Sequence, residues 1–406
     1  MVNDFCGHPF QVQLSRTLAA RGYSVLHTYC DTLLTPRGAL ARRANDPEQF
    51  SSLAVRLDAE FDRYGLLARW RHERELGQRL AKVVQDFRPD IVISSNTPLG
   101  TQALLLEAAR KNGAGFVFWM QDALGVGYRK ALRRRLPLVG NLIGIAFQAY
   151  ERSLLKRSDE VVAITEDFVA YMPPMVRERQ AVTVIENWAP LAELPPTEKR
   201  NAWAETHGLS GTFNFVYSGT LGLKHNPELL YRLAKAVADL AYVRVVVISE
   251  GLGADWLAER KRAEGLENLL LLPFQPFGEM PNVLGSADVL IALLEKDAGA
   301  FSVPSKVLTY LCARRALLLA VPGENLSAKI VRDNEAGLTV DPDDAEGFVG
   351  GALILLEDSA TREQYAGNGR AYAERTFDIE AITDRFEHII QRVRPSTKVT
   401  KQAKAA

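Results

Sequence analysis

Lys306 lies in the stretch Ser302-Val303-Pro304-Ser305-Lys306, which runs directly into an apolar, helically periodic segment. The pattern predicts a loop turning into a helix. Pro304 suits a first helical turn, where its missing N–H has no intrahelical partner to lose. Ser302 and Ser305 can cap orphan N–H groups. A lysine beside the positive end of a helix dipole is unfavourable unless an anion sits between them. The chemistry suited to this spacing is anion binding.

A second stretch, Tyr217-Ser-Gly-Thr-Leu-Gly-Leu-Lys-His-Asn226, has a similar character. Gly219 and Gly222 permit close backbone approach, Lys224 supplies a compact positive charge, and Asn226 can cap a helix beginning at Pro227. Exposed N–H groups with a lysine make a phosphate cradle. The spacing is neither that of the dinucleotide fingerprint nor that of the P-loop, and a plain strand-to-helix turn is the alternative. Two lysine-bearing helix starts in one domain could converge on one diphosphate, so a nucleotide diphosphate is the expected anion.

Further polar groups fall where strands should end. Ser249, Glu250 and Gly251 could meet a base or ribose, or simply form a glycine-containing loop. Phe274 could flank a nucleobase, whereas Phe277 reads as core. Gly7 and His8 precede an amphipathic helix, and His8 is either a cleft residue or a solvated structural one. Gln121 and Asp122 emerge from a buried run, which makes Asp122 the acid/base or substrate-hydroxyl candidate of the first half. Asn187 and Trp188 stand where that half ends, and packing across a hinge is their other reading.

The elements that must position these residues are βα units. Apolar runs at 24–30, 90–96, 115–122, 160–165 and 181–187 alternate with helical patterns such as 10–21, 71–86 and 100–111. After a proline-rich linker at 189–200 the alternation restarts, with runs at 213–219, 243–251, 269–274, 288–294, 316–321 and 337–341. Two doubly wound, Rossmann-like α/β domains facing a cleft are predicted, with ligands beyond the carboxyl ends of the strands. The expected division is 1–190, a linker at 191–200, a second domain at 201–370, a closing helix at 371–393 and a disordered tail at 394–406.

A chain of 406 residues is long enough for two cores. Its 49 basic and 49 acidic residues cancel, which argues against bulk nucleic-acid binding. Cys6, Cys30 and Cys312 have no paired spacing and read as reduced thiols of a cytoplasmic protein, without disulfide or metal. No run of 18 apolar residues and no signal-peptide pattern is present, so neither membrane spanning nor export by the usual route is expected. One segment stands apart: residues 128–157 hold eight Lys or Arg and a single acid, Glu151, around the apolar centre LPLVGNLIGIAF. Such a segment can lie on an anionic leaflet or form a core helix with solvated ends.

Taken together, SRTLAARGY, SSNTPLGTQALLL, FWMQD, EVVAITEDF, VIENWAP, YSGTLGLKHN, the segment 274–294, VPSKVLTYL and AYAERTFD resemble the GT-B glycosyltransferases. The likeness is to retaining family 4, in its bacterial exopolysaccharide and O-antigen branch. It runs in the family's order over nearly the whole chain. It implies a nucleotide-sugar donor, UDP-linked by family habit, held mainly by the second domain, and a glycan or lipid-linked sugar acceptor. On this likeness Gly219, Thr220 and Lys224 lie near the donor phosphates, and Ser302, Val303, Pro304, Ser305 and Thr309 belong to the donor-sugar and phosphate region. Asn187 and Trp188 match the segment closing the first domain, and residues 372–393 match a helix that crosses back onto it.

Two departures accompany the likeness. The family's pair of glutamates, eight apart, is replaced by Phe301 and Thr309, and Glu295 is not at the matching spacing. Only Met1 and Val2 precede Asn3, so the first strand is expected to be stunted or to begin upstream, and a truncated edge would impair folding or donor binding. The family's chemistry implies retention of configuration without a metal or other cofactor. Charge developing on the β-phosphate would be stabilised by Lys224, Lys306 and backbone N–H groups at 219–220 and 303–305. The acceptor would approach near His8 and Asp122, and closure would exclude water. The expected location is the cytoplasm, at the inner face of the membrane if 128–157 docks there. A non-catalytic nucleotide-sugar-binding or partner subunit and a sugar-nucleotide epimerase on the same fold are the alternatives.

Overall fold

The structure, a computed structural model, describes residues 1–33, 37–61, 65–179, 181–222 and 225–393. Lys224 and the expected disordered tail lie outside the described residues. The first half builds a seven-stranded parallel sheet from β1 (Val2–Asp4), β2 (Val25–Cys30), β3 (Phe50–Val55), β4 (Ile91–Ser95), β5 (Gly115–Met120), β6 (Glu160–Ala163) and β7 (Val182–Val184), in the order β3-β2-β1-β4-β5-β6-β7. The second half builds a six-stranded parallel sheet from β8 (Phe213–Ser218), β9 (Val243–Ile248), β10 (Leu269–Leu272), β11 (Val289–Leu293), β12 (Ala316–Ala320) and β13 (Gly337–Val340), in the order β10-β9-β8-β11-β12-β13. Strands covered by helices on both faces read as continuous apolar runs, and every residue of β5, β11 and β12 is buried.

Two strands of the first sheet depart from the sequence reading. β3 carries Ser51, Ser52 and the exposed Leu53, so it lacks an apolar run; it lies at the sheet edge, where only Phe50 and Val55 are buried. The first strand is three residues long, and it is no edge. β1 pairs with β2 on one side and β4 on the other, and all three of its residues are buried. In each sheet the strand order reverses beside the first strand, between β1 and β4 and between β8 and β11. Those switch points open crevices at the strands' carboxyl ends.

The last helix, Ile379–Val393, returns to the first sheet. Its Phe386 is fully buried, with its ring 4.8 Å from that of Trp119 on β5 and 6.3 Å from that of Trp188. Outside this contact, Arg21 pairs with Glu380, Asp384 and Glu387, and Arg392 with Glu160 at 2.7 Å. The preceding helix, Ser359–Thr376, stays with the second half, where Arg370 donates to the carbonyls of Cys312 and Leu194.

Segment 128–157 belongs to a helical hairpin, Leu124–Arg135 followed by Pro137–Arg157. Gly144 lets the two helices touch, because a Cβ there would fall 2.5 Å from the Cα of Arg129. Its outer side leaves Leu136, Val139, Leu142, Ile143 and Ile145 exposed, 68% in the case of Leu142. The single acid, Glu151, points inward: it accepts hydrogen bonds from the Tyr171 hydroxyl at 2.6 Å and the Gly125 N–H at 3.1 Å. Burial raises its pKa to about 7. No described helix is long and apolar enough to cross a membrane.

Candidate functional site

The site grows from the carboxyl end of β8. Tyr217 is fully buried, its hydroxyl donating to the carbonyl of Thr220 at 2.8 Å, and Gly219 follows at φ 133°. Against this turn stands the helix Ser305–Cys312. Tyr310 fixes the helix, because its hydroxyl accepts the N–H of Ser218 and donates to the carbonyl of the same residue, each at 2.9 Å. Lys306, one turn earlier, is thereby carried over β8.

The Lys306 stem is partly accessible, but its Nζ is covered and has no hydrogen-bond partner among the described residues. Nζ lies 3.7 Å from the centroid of the Tyr217 ring, and 3.1 Å from where a Cβ on Gly219 would stand. Burial without a compensating carboxylate drives its pKa well below the ordinary lysine value. A buried cation with no counter-charge is costly, so this arrangement suits an anion that arrives from outside.

Around Lys306 the loop differs from the sequence reading in detail. Pro304 is the N-cap residue rather than part of the first turn, and neither Ser302 nor Ser305 caps the helix through its side chain. No side chain caps the first N–H groups of this helix, and that of Val307 turns onto the carbonyl of Pro304 at 3.1 Å. Asn325 holds the loop instead: its fully buried amide donates to the carbonyls of Gly299 and Ser302, each at 2.7 Å, while its oxygen accepts from Ser327. Val303, Pro304 and Thr309 are half-buried along this segment. The position of Glu295, just after β11, is separated from Lys306 by a short 3-10 segment, Lys296–Phe301.

Other candidates line the same edge of the second sheet. Ser249, after β9, is buried with its hydroxyl unpartnered among the described residues. Glu250 is exposed and accepts the N–H of Phe274 at 3.1 Å, tying the ends of β9 and β10 together. Gly251, at φ 94°, starts the helix Leu252–Glu264. Gly222 precedes the undescribed Leu223 and Lys224, and beyond them Asn226 accepts the N–H of Glu228 at 3.0 Å, where the next helix begins one residue later than expected.

The two halves meet at this edge. Asp122, beyond β5, and Ser302 form an isolated antiparallel bridge, Lys130 donates to the carbonyl of Asp297 at 2.8 Å, and Lys329 lies 3.3 Å from Asp167. Beside Asp122, the amides of Gln121 and Asn187 pair reciprocally, at 3.1 and 2.5 Å, and both are buried. Trp188 is packed in the core against Phe10 and stacked on Trp119 at 5.9 Å, with its N–H on Gln13. Gly7 and His8 follow β1 at the switch point. His8 is partly exposed, and its Nδ1 lies 3.3 Å from the carboxylate of Asp4. A groove lined by Glu198, Arg200 and Phe213 opens at the opposite, amino-terminal edge of the second sheet, away from these groups.

Residues that no local pattern singled out thus complete the site: Asp4, Tyr217, Tyr310 and Asn325. Among the described residues no cluster of three or more His, Cys, Asp or Glu side chains is arranged to hold a metal ion.

Two facing doubly wound sheets with their switch points at one interface are the architecture of GT-B glycosyltransferases. Residues 8–188 match the family model described as Glycosyl transferase 4-like domain, and residues 199–372 match that of Glycosyl transferases group 1. The protein is a GT-B glycosyltransferase, with a 4-like first half and a group 1 second half. No curated protein matches the chain.

Among solved structures, HepE (Alr3699) from Anabaena in complex with UDP and glucose is similar, with a TM-score of 0.69 at 15% identity over 96% of this chain and 98% of HepE. Sucrose-phosphate synthase from Thermosynechococcus elongatus gives 0.69 at 16% identity, with the same coverage. WaaG, a glycosyltransferase involved in lipopolysaccharide biosynthesis, gives 0.63 at 15%, over 96% of this chain and 98% of WaaG. At such identities the likeness establishes the fold.

Proposed function

We propose that the protein transfers a hexosyl or N-acetylhexosaminyl group from a UDP-sugar to a glycan or lipid-linked sugar in cell-surface polysaccharide synthesis, with retention of configuration. The observation that carries this reading is the covered, unpartnered Lys306 amine over Tyr217, beside Gly219 and a helix start with no side-chain cap. HepE with UDP and glucose supports the donor class, and the role of WaaG supports the setting. In this account residues 201–370 hold the donor and residues 1–190 receive the acceptor.

The β-phosphate lies against Lys306 and the N–H groups of Val303 and Ser305, with Gly219 and Thr220 beside it; Lys224, outside the described residues, is the second cation proposed for it. Charge appearing there as the glycosidic bond breaks is stabilised by groups already in place. Gly222, Ser249, Glu250, Gly251, Phe274 and Thr309 border the nucleoside and sugar. On the acceptor side, His8 and Asp122 meet the incoming hydroxyl, with Gly7, Gln121 and Asn187 shaping the wall. Incubation with a panel of UDP-sugars is expected to release UDP from one of them, faster when acceptor glycans are present. UDP binding without any release would favour the other reading, a binding subunit, to which the absence of a carboxylate at Thr309 points.

The hairpin 124–157 is the surface proposed to rest on the inner leaflet. Its exposed Leu136, Val139, Leu142 and Ile143 are accompanied on the same hairpin by the exposed Arg133, Arg152 and Lys156, the combination of apolar and basic residues that an anionic leaflet attracts. The protein is expected to float with vesicles containing anionic lipid. Leu142→Glu with Ile143→Glu should lower the bound fraction roughly tenfold. Equal flotation of the double variant would show that this face is not the contact.

A further inference from the structure

Asp4 closes β1 at the switch point of the first sheet, and its carboxylate is fully buried. The chain folds around it. Oδ1 accepts the N–H groups of Cys6 at 3.2 Å and Gly7 at 3.0 Å, and Oδ2 accepts that of His8 at 2.5 Å. Gly7 makes the turn at φ 76°, where a Cβ would fall 2.6 Å from Cδ1 of Leu40. This loop has one shape, and it delivers the His8 ring to the same carboxylate, Nδ1 to Oδ1 at 3.3 Å.

A second histidine approaches Asp4 but does not compete for it. His27 is fully buried, with Nε2 4.0 Å from Oδ2, beyond hydrogen-bond reach. Burial lowers its pKa to about 4, so it is neutral at physiological pH. On its other side the ring meets the Ser15 hydroxyl, with Nδ1 2.9 Å from Oγ, and that hydroxyl also lies 3.1 Å from the carbonyl of Gln11. Among the described residues, His8 is the side chain that donates to this carboxylate.

An ionised carboxylate only accepts hydrogen bonds. The proton of neutral His8 therefore resides on Nδ1, and Nε2 presents its lone pair from a partly exposed ring at the crevice. We propose that Asp4 is a positioning residue: it fixes His8 as a hydrogen-bond acceptor for a hydroxyl of the sugar acceptor. The pair thereby sets acceptor binding, while donor binding rests with the second half. This inference rests on the transfer reading above for its ligand, but not for the state of His8.

The test uses full-length protein labelled with 15N-histidine, whose six imidazoles are resolvable, with His8 assigned through His8→Gln. His8 is expected to be protonated on Nδ1, and Asp4→Asn is expected to move the proton to Nε2. Protonation on Nε2 in the unmodified protein overturns the proposal, and this arm decides it even if Asp4→Asn does not fold. Kinetics use UDP-glucose as donor and n-octyl glucoside as acceptor probe. Asp4→Asn and His8→Gln should each raise KM for the octyl glucoside roughly tenfold, with KM for UDP-glucose unchanged and no further effect in the double variant. Equal changes in both KM values, or additive effects, would make Asp4 a purely structural staple. Absence of any transfer by the unmodified protein would instead count against the transfer reading, leaving the tautomer to decide the role of Asp4.

Discussion

Lys306→Met is expected to leave the protein folded and to lower sugar transfer by roughly 10²–10³-fold, the scale of losing one preorganised charge at a leaving group. The variant, free of ligand, should be slightly more stable than the parent, by about 1 kcal/mol, because the substitution removes a buried, unpartnered amine while keeping the stem's packing. Stability and activity therefore move in opposite directions, which a residue of the core would not do.

The same lysine makes a pH argument. Its folded-state pKa is depressed by burial, whereas the unfolded chain titrates near the ordinary value of about 10.4. Between those values the unfolded state binds more protons, so the free protein gains stability as pH rises through that window and carries the full penalty below it. A diphosphate placed against Nζ reverses the effect by favouring the charged form. UDP binding should accordingly take up a proton within that window and weaken as pH rises. Urea unfolding of parent and variant across pH, with and without UDP, measures both signs.

Phe386→Ala is expected to have the largest effect on stability. Its ring packs against the stacked pair Trp119 and Trp188, which Phe10 also meets edge-on, and the site is fully closed. Truncation of a buried phenylalanine costs about 3–5 kcal/mol, because flanking indoles cannot collapse into the void. The loss should show as a lower urea midpoint and an altered tryptophan signal. A change below about 1 kcal/mol would mean that the last helix does not close the first core.

Much of this was legible in the sequence for a physical reason. Strands β10, β11 and β12 are apolar throughout, so each registers as a continuous run, and the helix carrying Lys306 announces itself through Pro304 and the periodic residues after it. What escaped was set by tertiary contacts. β1 is three residues long and two of them, Asn3 and Asp4, are polar, so nothing local marks it as an interior strand of a sheet. Asp4 matters through a loop that bends back onto it. Tyr310 reads as a core aromatic, yet its hydroxyl clamps both backbone groups of Ser218, a residue 92 positions away. Asn325 signals the cap of its own helix, and only the fold reveals that its other hydrogen bonds hold the Gly299 and Ser302 carbonyls. Ser302 and Ser305 read as caps in the sequence, whereas Asn325 restrains the loop in the fold.

The central claim is that a nucleotide diphosphate settles against Lys306. Its most direct test is calorimetric titration of UDP into the parent and into Lys306→Met, at mildly alkaline pH, in two buffers of different ionisation enthalpy. The account expects UDP to bind the parent with uptake of a proton, and to bind the variant far more weakly without it. Equal affinity and equal proton linkage in the two proteins would place the diphosphate elsewhere and contradict the account.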